Sequence, residues 1–180
     1  MVNVWRKPTS LAAMLLILLI SLFFSQQVMA DMFDWLKKHD VHLSPAIQGT
    51  VLMDGMPLAG VRVSRELHYD QEYVDTTRSD DNGNFSFPAK TIRSSKPGTL
   101  QELRTRQVIV VHHQQQTYLL WYLTTSSIKP QQAIVQRLAA LNCELSNDEQ
   151  EQVFPNVENP DFPHSTFSIC RWADGKSQPL

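Results

Sequence analysis

Apolar and polar residues alternate with a period of two through most of the chain from Ala46 onward, and this alternation predicts β-strands. The stretch IQGTVLM, residues 47–53, alternates in this way and contains β-branched residues, so it is expected to bury one face. The alternation resumes in VRVSREL and NFSFP, EYVDTTRS can form the strand between them, and RQVIVVHH and QTYLLWYL are two further predicted strands. The last two segments flank a short polar turn around Gln114 to Gln116, which predicts a well-buried hairpin.

The period changes in PQQAIVQRLAALNCEL, where apolar residues recur at helical spacing. Ile134, Leu138, Leu141 and Leu145 form the stripe, and Pro130 suits a first helical turn. This predicts a helix near residues 130–142 that packs on the sheet. The following segment is polar and contains prolines that break regular structure, and STFSICRW then predicts a short last strand.

The first thirty residues have the pattern of a secretory signal peptide. Arg6 and Lys7 precede the apolar run Leu11–Phe24, and Val28 and Ala30 provide a small-x-small cleavage site. The run is short for a spanning helix, although retention as an anchor is the alternative. We therefore predict a signal peptide at 1–30 and a single domain at 46–180. Residues 31–45 are predicted to be a linker or a short amphipathic helix that docks on the sandwich or contacts a membrane or partner.

Charge and composition exclude some classes of partner. Cleavage after Ala30 leaves 14 of the 16 basic residues against 18 acidic residues, a net charge of −4. This mild acidity argues against binding to nucleic acid or to an anionic membrane surface. A periplasmic or secreted protein is expected, which meets the membrane transiently through its signal peptide.

Cys143 and Cys170 are the two cysteines of the chain. In an oxidising compartment such a pair most often forms a disulfide, which we predict here. A lone nucleophile or metal ligands are the alternatives, and neither cysteine belongs to a closely spaced ligand pair.

The segment from Ile47 to Phe87 resembles the carboxypeptidase regulatory-like module, a transthyretin-like β-sandwich. The resemblance rests on a Gly-x-Val strand, on G-x-P-L-x-G-V-x-V and on T-x-T-D-x-x-G-x-F, with Ser79 where threonine is commoner. The matching residues are Gly49, Val51, Gly55, Pro57, Leu58, Gly60, Val61, Val63, Thr77, Asp80, Gly83 and Phe85. The resemblance implies a mainly β fold, a Greek-key sandwich of about seven strands with one helix in the C-terminal half, used as an accessory or binding module.

The stretch TTRSDDNGNFSF, residues 76–87, is the most acidic turn candidate in this region. Asp80, Asn82 and Asn84 fit part of an EF-hand loop, but its glycine and its final glutamate are missing. Gly83 suits a left-handed turn residue between strands, so a tight turn is predicted. A looser calcium site of Asp80, Asp81 and Asn82 is the alternative.

Other patterns give little support for catalysis. His112 and His113 are adjacent on a predicted strand and point to opposite faces, and no histidine has metal-ligand spacing. Ser126 and Lys129 have Ser-x-x-Lys spacing without its companion motifs. Transthyretin-like folds include hydrolases, which carry a C-terminal Tyr-Arg-Gly-Ser. This chain instead ends GKSQPL. We expect a non-enzymatic protein without a cofactor; a small hydrolase, with a pocket where histidine meets arginine or an acid, is an alternative.

Two segments of opposite charge are the candidate binding regions. The basic segment is a candidate binding loop, and the acidic segment covers residues 144–161. In one interpretation both are solvated loops that face each other. In the other, one of them steers a partner of opposite charge. Their charged residues are Lys90, Arg93, Lys96, Arg104 and Arg106, and Glu144, Asp148, Glu149, Glu151, Glu158 and Asp161. The expected function is recognition of another cell-envelope protein, as in an inhibitor or immunity protein. Glycan binding is an alternative, with Tyr118, Trp121 and Tyr122 as stacking candidates that core packing would also explain.

Overall fold

Two facing layers of β-sheet form the unit that begins at His39. The computed structural model describes residues 37–97, 99, 103–172 and 176–179, the last four by their backbone. The mainly β, sandwich-like fold predicted from the sequence is confirmed, and the described residues form thirteen strands where about seven were predicted.

The strands are β1 (His39–Ser44), β2 (Ile47–Met53), β3 (Met56–Pro57), β4 (Arg62–His68), β5 (Glu72–Arg78), β6 (Asn84–Phe87), β7 (Lys90–Ser94), β8 (Thr105–His113), β9 (Gln116–Thr125), β10 (Leu141–Glu144), β11 (Gln150–Phe154), β12 (His164–Ser168) and β13 (Lys176–Pro179). The helix α1 (Gln132–Leu138) lies between β9 and β10 in the chain. None of the helical structure in the described residues has the length and apolar character needed to cross a bilayer.

The larger layer is an antiparallel sheet in the order β13-β11-β12-β9-β8-β4-β5. The predicted hairpin is formed by β8 and β9, and its turn residues Gln114 and Gln115 have φ angles of 47° and 65°. Two successive left-handed residues give a twist that suits a tight hairpin. At one edge of the sheet, β5 pairs with β4 alone among the described strands.

The smaller layer is centred on β2, which pairs antiparallel with β3 and β6 and parallel with β10. The ring of Phe85 on β6 lies over Gly49 on β2, close to Leu141 on β10. A Cβ atom at residue 49 would stand 2.7 Å from that ring and 2.8 Å from the Leu141 Cβ. Glycine is therefore required at this position.

The core fills the space between these layers. Its largest side chain is the fully buried Trp121, which donates its indole N–H to Gln107 at 3.2 Å, while Gln107 donates to the Leu43 carbonyl at 2.8 Å. These bonds give partners to the buried polar side chains of Trp121 and Gln107. The ribbon of β1 and β7 packs on β4 through a second cluster that includes Val41, Leu43, Leu67 and Tyr69.

Two elements differ from the sequence predictions. Residues 39–44, inside the segment predicted as a linker or short helix at 31–45, form β1, and residues 31–36 of that segment lie outside the described residues. The helix predicted near 130–142 ends at Leu138, because the chain then enters β10 and buries Leu141 and Cys143 beside β2. The predicted disulfide is present, and it joins β10 to the residues after β12.

Candidate functional site

Among the strands of the larger sheet whose side chains are described, the edge strand β5 is the most accessible. Along its whole length, exposed residues alternate with half-buried residues. The exposed members, on the face directed away from the core, are Glu72, Val74, Thr76 and Arg78. Val74, a β-branched apolar side chain, is 56% exposed. A free edge of this length presents backbone donors and acceptors to a further strand.

A row of side chains continues from Val74 across the same face of the sheet. In register it contains Val74, Glu66, Val108, Tyr122 and Phe167, one from each of five successive strands. The rings of Tyr122 and Phe167 meet edge to face, with centroids 6.2 Å apart. The open edge is thus continuous with an apolar and aromatic row.

An ion-pair network fixes the opposite face of β5. The Arg65 guanidinium, 1% exposed, donates to Asp75 at 2.6 Å and to the Pro88 carbonyl at 2.6 Å, and the Lys90 ammonium lies 3.3 Å from Asp75. Burial raises the pKa of Asp75, but Arg65 and Lys90 outweigh burial and hold that pKa below its ordinary value. An inward-pointing charge of this kind limits indiscriminate pairing at a sheet edge.

The turn that follows β5 uses its acidic residue for its own backbone. One carboxylate oxygen of Asp80 accepts the amides of Asn82 and Asn84 at 2.9 and 2.8 Å, and the other accepts the Asn84 side-chain amide at 3.3 Å. These bonds lower the pKa of Asp80, and Gly83 has the left-handed φ of 75°. No cluster of three acidic, histidine or cysteine residues suited to a metal occurs in the described part of the chain. Asp80 and Gly83 thus form a hydrogen-bonded turn, while the calcium alternative stays a prediction.

A polar groove of about 560 Å³ crosses β2 and β6 beside this turn. Three of its polar side chains bond to one another: the Thr50 hydroxyl donates to Asn84 at 2.9 Å, and Asn84 donates to Asp80. We assign no ligand to the groove.

A second cavity, of about 490 Å³, opens between the end of β9 and the start of β12. Its residues are Arg104, Thr124, Thr125, Ser126, Ser127, Gln131, Asn156, Asn159, Phe162, Pro163 and His164. It brings the predicted basic and acidic segments together, because Arg104 belongs to the first and Asn156 and Asn159 to the second. The hydrolase alternative asked for a histidine near an arginine, and His164 and Arg104 share this lining, so that alternative stays a prediction.

The five basic candidates do not form one loop. Lys90 and Arg93 lie on β7, Lys96 follows that strand, Arg104 precedes β8 and Arg106 lies on β8. Lys90 is engaged with Asp75, and Arg93 lies 3.4 Å from the exposed Asp40.

The acidic segment is partly a strand rather than one loop. Glu151 lies on β11, and Glu144, at the end of β10, accepts the amides of Asp54 and Gly55 at 3.0 and 2.8 Å. Burial raises the pKa of Glu144, but the hydrogen bonds from Gly55, Ser146 and Asp54 outweigh it and lower the pKa. Glu158 accepts the Gln132 amide at 2.7 Å at the start of α1. Several of these carboxylates thus cap turns and the helix.

The three aromatic candidates for glycan stacking lie in different environments. Trp121 lies in the core, Tyr118 is half-buried, and Tyr122 lies on the outward face.

The histidine and Ser-x-x-Lys candidates do not gather into one site. His112 and His113 are half-buried on β8. Beside Ser126, the Ser127 hydroxyl donates to the Lys129 carbonyl at 3.0 Å. This last bond is a local turn contact.

Sequence reasoning missed His164, Phe162 and the network around Arg65. His164 follows a proline and begins β12, and no periodicity marks it as buried, although it is 8% exposed. Arg65 sits at an inward position of the predicted strand VRVSREL, which is the signal that would have identified a buried charge.

The comparisons with known proteins concern the first two thirds of this unit. Residues 47–148 match a family model described as a domain of unknown function, DUF6795. The match covers more than half of the chain and runs from β2 through β10. No curated protein and no solved structure gave a match. The chain belongs to the DUF6795 family.

Proposed function

We propose that this protein is an exported, non-catalytic binding module that recognises another protein of the cell envelope through β5 and the outward face beside it. The open edge of β5, with its 56% exposed Val74, is the observation that carries the proposal. Addition of a partner strand to a sheet edge is a common mode of recognition, in which backbone bonds supply affinity and side chains supply specificity.

Two observations support export. The predicted signal peptide at 1–30 lies outside the described residues, but the Cys143–Cys170 disulfide is present and is typical of oxidising compartments. The resemblance to carboxypeptidase regulatory-like modules, carried by β2 to β6, adds an expectation of an accessory binding role. An inhibitor or immunity protein of the periplasm is the form of this function that we favour.

The side chains of β5 define the strand that would fit. Glu72 and Arg78 stand at the two ends of the exposed row, with Val74 and Thr76 between them. An antiparallel partner strand would place a basic residue opposite Glu72, an acidic residue opposite Arg78 and β-branched residues in the middle.

A second copy of the chain satisfies this pattern only in part. Antiparallel pairing of two β5 strands about their midpoint sets Glu72 opposite Arg78 of the other copy, but it also sets the two Asp75 carboxylates face to face. Like charges directly opposite one another destabilise a strand pair. A different protein therefore fits the edge better than a second copy does.

Site-specific photo-crosslinking in intact producing cells tests the proposal. A photoreactive amino acid replaces Val74 in one variant and Val157 in a control, since Val157 is a valine of matched exposure, 58%, outside the sheet. We expect a discrete adduct with another protein from position 74 and none from position 157. Identical adduct patterns from both positions, or an adduct of the chain with itself alone, would overturn the proposal.

A further inference from the structure

Three basic side chains stand in one row on the outward face of the larger sheet. Arg62, the first residue of β4, lies directly opposite Arg78 at the end of β5, and on its other side it lies opposite His112 of β8. Residues directly opposite one another in an antiparallel sheet point to the same face. Since neighbouring strands are about 4.8 Å apart, the row spans roughly 10 Å. We call Arg78, Arg62 and His112 the basic row.

The basic row is accessible, and its arginines have no acidic partner in the described part of the chain. Arg62 and Arg78 are exposed, and His112 is half-buried. Arg78 donates to the Gly60 carbonyl at 2.7 Å, and the Nδ1 atom of His112 lies 3.2 Å from the Thr117 hydroxyl. None of the ion pairs among the described residues includes Arg62 or Arg78. Both guanidinium groups can therefore bind a carboxylate of a partner.

The neighbouring rows of the same face do not neutralise the basic row. The adjoining row is uncharged and contains Thr76, Ser64, Val110 and Leu119. The row after it contains Glu66, which is four residues from Arg62 along β4, roughly 13 Å at the rise of a strand. Beyond the end of β5, the carboxylate of Asp80 is hydrogen-bonded within its own turn. The positive charge at this end of the face is thus concentrated.

The two arginines form a pair that the isolated sheet would not favour. Like charges directly opposite one another destabilise a strand pair. A local arrangement that costs stability without a compensating contact is typical of a functional site. A carboxylate between the guanidinium groups of Arg62 and Arg78 would remove their repulsion and accept charge-assisted hydrogen bonds from both.

We propose that the protein recognised by β5 carries an acidic segment directly before its pairing strand, and that this segment binds the basic row. This inference rests on the proposed function. In an antiparallel pair, the partner residue that faces Arg78 comes earlier in the partner chain than the residue that faces Val74. The chain that precedes the pairing strand therefore starts at the basic row. There its carboxylates reach Arg78 and Arg62 and accept a hydrogen bond from the imidazole of His112.

Photo-crosslinking from position 74 in intact producing cells tests the inference when the charge of the row is changed. Arg62→Gln is the informative variant, because Arg62 lies on β4 and does not pair with the added strand. We expect the yield of the adduct to fall roughly three- to tenfold, as loss of a charge-assisted contact predicts. Arg106→Gln is the matched control, an exposed arginine at the other end of the same face, opposite His68. Its adduct yield should equal that of the unsubstituted protein.

The melting temperature of Arg62→Gln separates loss of binding from loss of the fold. Removal of one of two like charges should leave that temperature equal to the wild-type value or raise it. A variant that melts as the wild type does and still gives a lower adduct yield has lost a contact with the partner.

Mass spectrometry of the adduct tests the chemistry of the partner. Aspartate or glutamate residues should lie about four to eight positions before the partner residue that is joined to position 74, because Arg78 follows Val74 by four residues on β5. At least two such residues are expected, since the basic row contains two arginines.

The outcomes distinguish this inference from the proposed function. An adduct whose yield is unaffected by Arg62→Gln, or falls equally with Arg106→Gln, would overturn the acidic segment and leave recognition through β5 standing. A partner peptide without acidic residues at those positions would do the same. Absence of any adduct from position 74 in the otherwise unchanged protein would overturn the proposed function, and the acidic segment with it.

Discussion

The two halves of the seven-stranded sheet hold together by different means. From β5 through β4 and β8 to β9, each strand pairs with the next along nearly its whole length. Between β9 and β12, one residue pair, Tyr122 with Phe167, is in register. The first half is a continuous antiparallel sheet. In the second half β12, β11 and β13 pair regularly with one another, and the irregular part is the seam that joins β12 to β9.

Side-chain hydroxyls replace the missing backbone bonds at this seam. Thr166 donates its hydroxyl to the Tyr122 carbonyl at 2.9 Å, and Ser168 donates to the Leu120 carbonyl. Both residues are fully buried, and the Ile169 amide donates to the Leu119 carbonyl at 3.0 Å. Hydroxyl bridges let the strands diverge without leaving carbonyls unpaired, and the cavity at His164 follows from that divergence.

The largest expected effect lies at the disulfide that ties the second half to the smaller layer. The double substitution Cys143→Ala, Cys170→Ala should lower the free energy of unfolding by about 3–4 kcal/mol, because the crosslink closes a loop whose ends are 27 residues apart. Urea denaturation measures the change. The reduced wild-type protein is the matched control and should unfold at the same urea concentration; a loss below about 1 kcal/mol would contradict the chain-entropy account.

In the regular half, the largest loss of stability is expected when the buried Arg65 loses its ion-pair partner. Asp75→Asn leaves Arg65 buried without its carboxylate and should cost about 2–3 kcal/mol, less than a fully buried pair because Asp75 is partly exposed. Chemical denaturation measures it. Glu72→Gln on the same strand is the control and should change stability by less than about 0.5 kcal/mol. Similar losses of stability in the two variants would show that the ion-pair network around Arg65 does not stabilise β5.

Removing one hydroxyl bridge tests the seam directly. Thr166→Val keeps the side-chain shape but leaves the Tyr122 carbonyl without its donor, so we expect a loss of about 1–2 kcal/mol. Hydrogen exchange should also speed up more in β12 than in β4. Ser165→Ala is the control, because it removes an exposed hydroxyl that bonds Glu151 on β11 and not β9. Equal exchange in the two variants would show that the Thr166 hydroxyl does not hold β9 and β12 together.

Acid should weaken the regular half through Asp75. The pKa of Asp75 is lowered in the fold from its ordinary 3.8, so the unfolded chain binds its proton at higher pH than the folded one. Its stabilisation is present above about pH 4 and is lost as the pH falls through the lower folded value. Asp80 and Glu144 have lowered pKa values too, so Asp75→Asn should flatten only part of the decline in melting temperature between about pH 5 and pH 3. If the melting temperature of that variant falls with pH as steeply as in the wild type, Asp75 does not contribute to the acid sensitivity.

The smallest effect is expected from calcium. Both oxygens of Asp80 already accept protein hydrogen bonds, so added calcium should leave the melting temperature unchanged. Asp80→Ala should lower that temperature more than Asp81→Ala does, with or without the ion. A calcium-dependent rise that Asp80→Ala abolishes would restore the calcium site.

Sequence reasoning succeeded where burial alternates along one strand. Segment 47–53 was recognised because its residues alternate, segment 116–123 was recognised as part of a well-buried hairpin, and Gly83 was recognised as a left-handed turn residue. It failed for β11, where the polar Gln152 is buried because its side chain donates to the Cys170 carbonyl at 2.7 Å. It also extended α1 too far, because Leu141 and Leu145 continue the helical spacing while belonging to β10 and the residue after it.

The amino-acid pattern by itself determined the fold class, most strands of the central hairpins, the acidic turn and the cysteine pair, because each rests on local spacing or on a count. Tertiary structure alone decided that β5 lies at an edge, that Arg65 meets Asp75 and Lys90, and that His164 shares a cavity with Phe162. Those relations join residues far apart in the chain, and strand order is set by packing between layers, which periodicity within a segment does not encode.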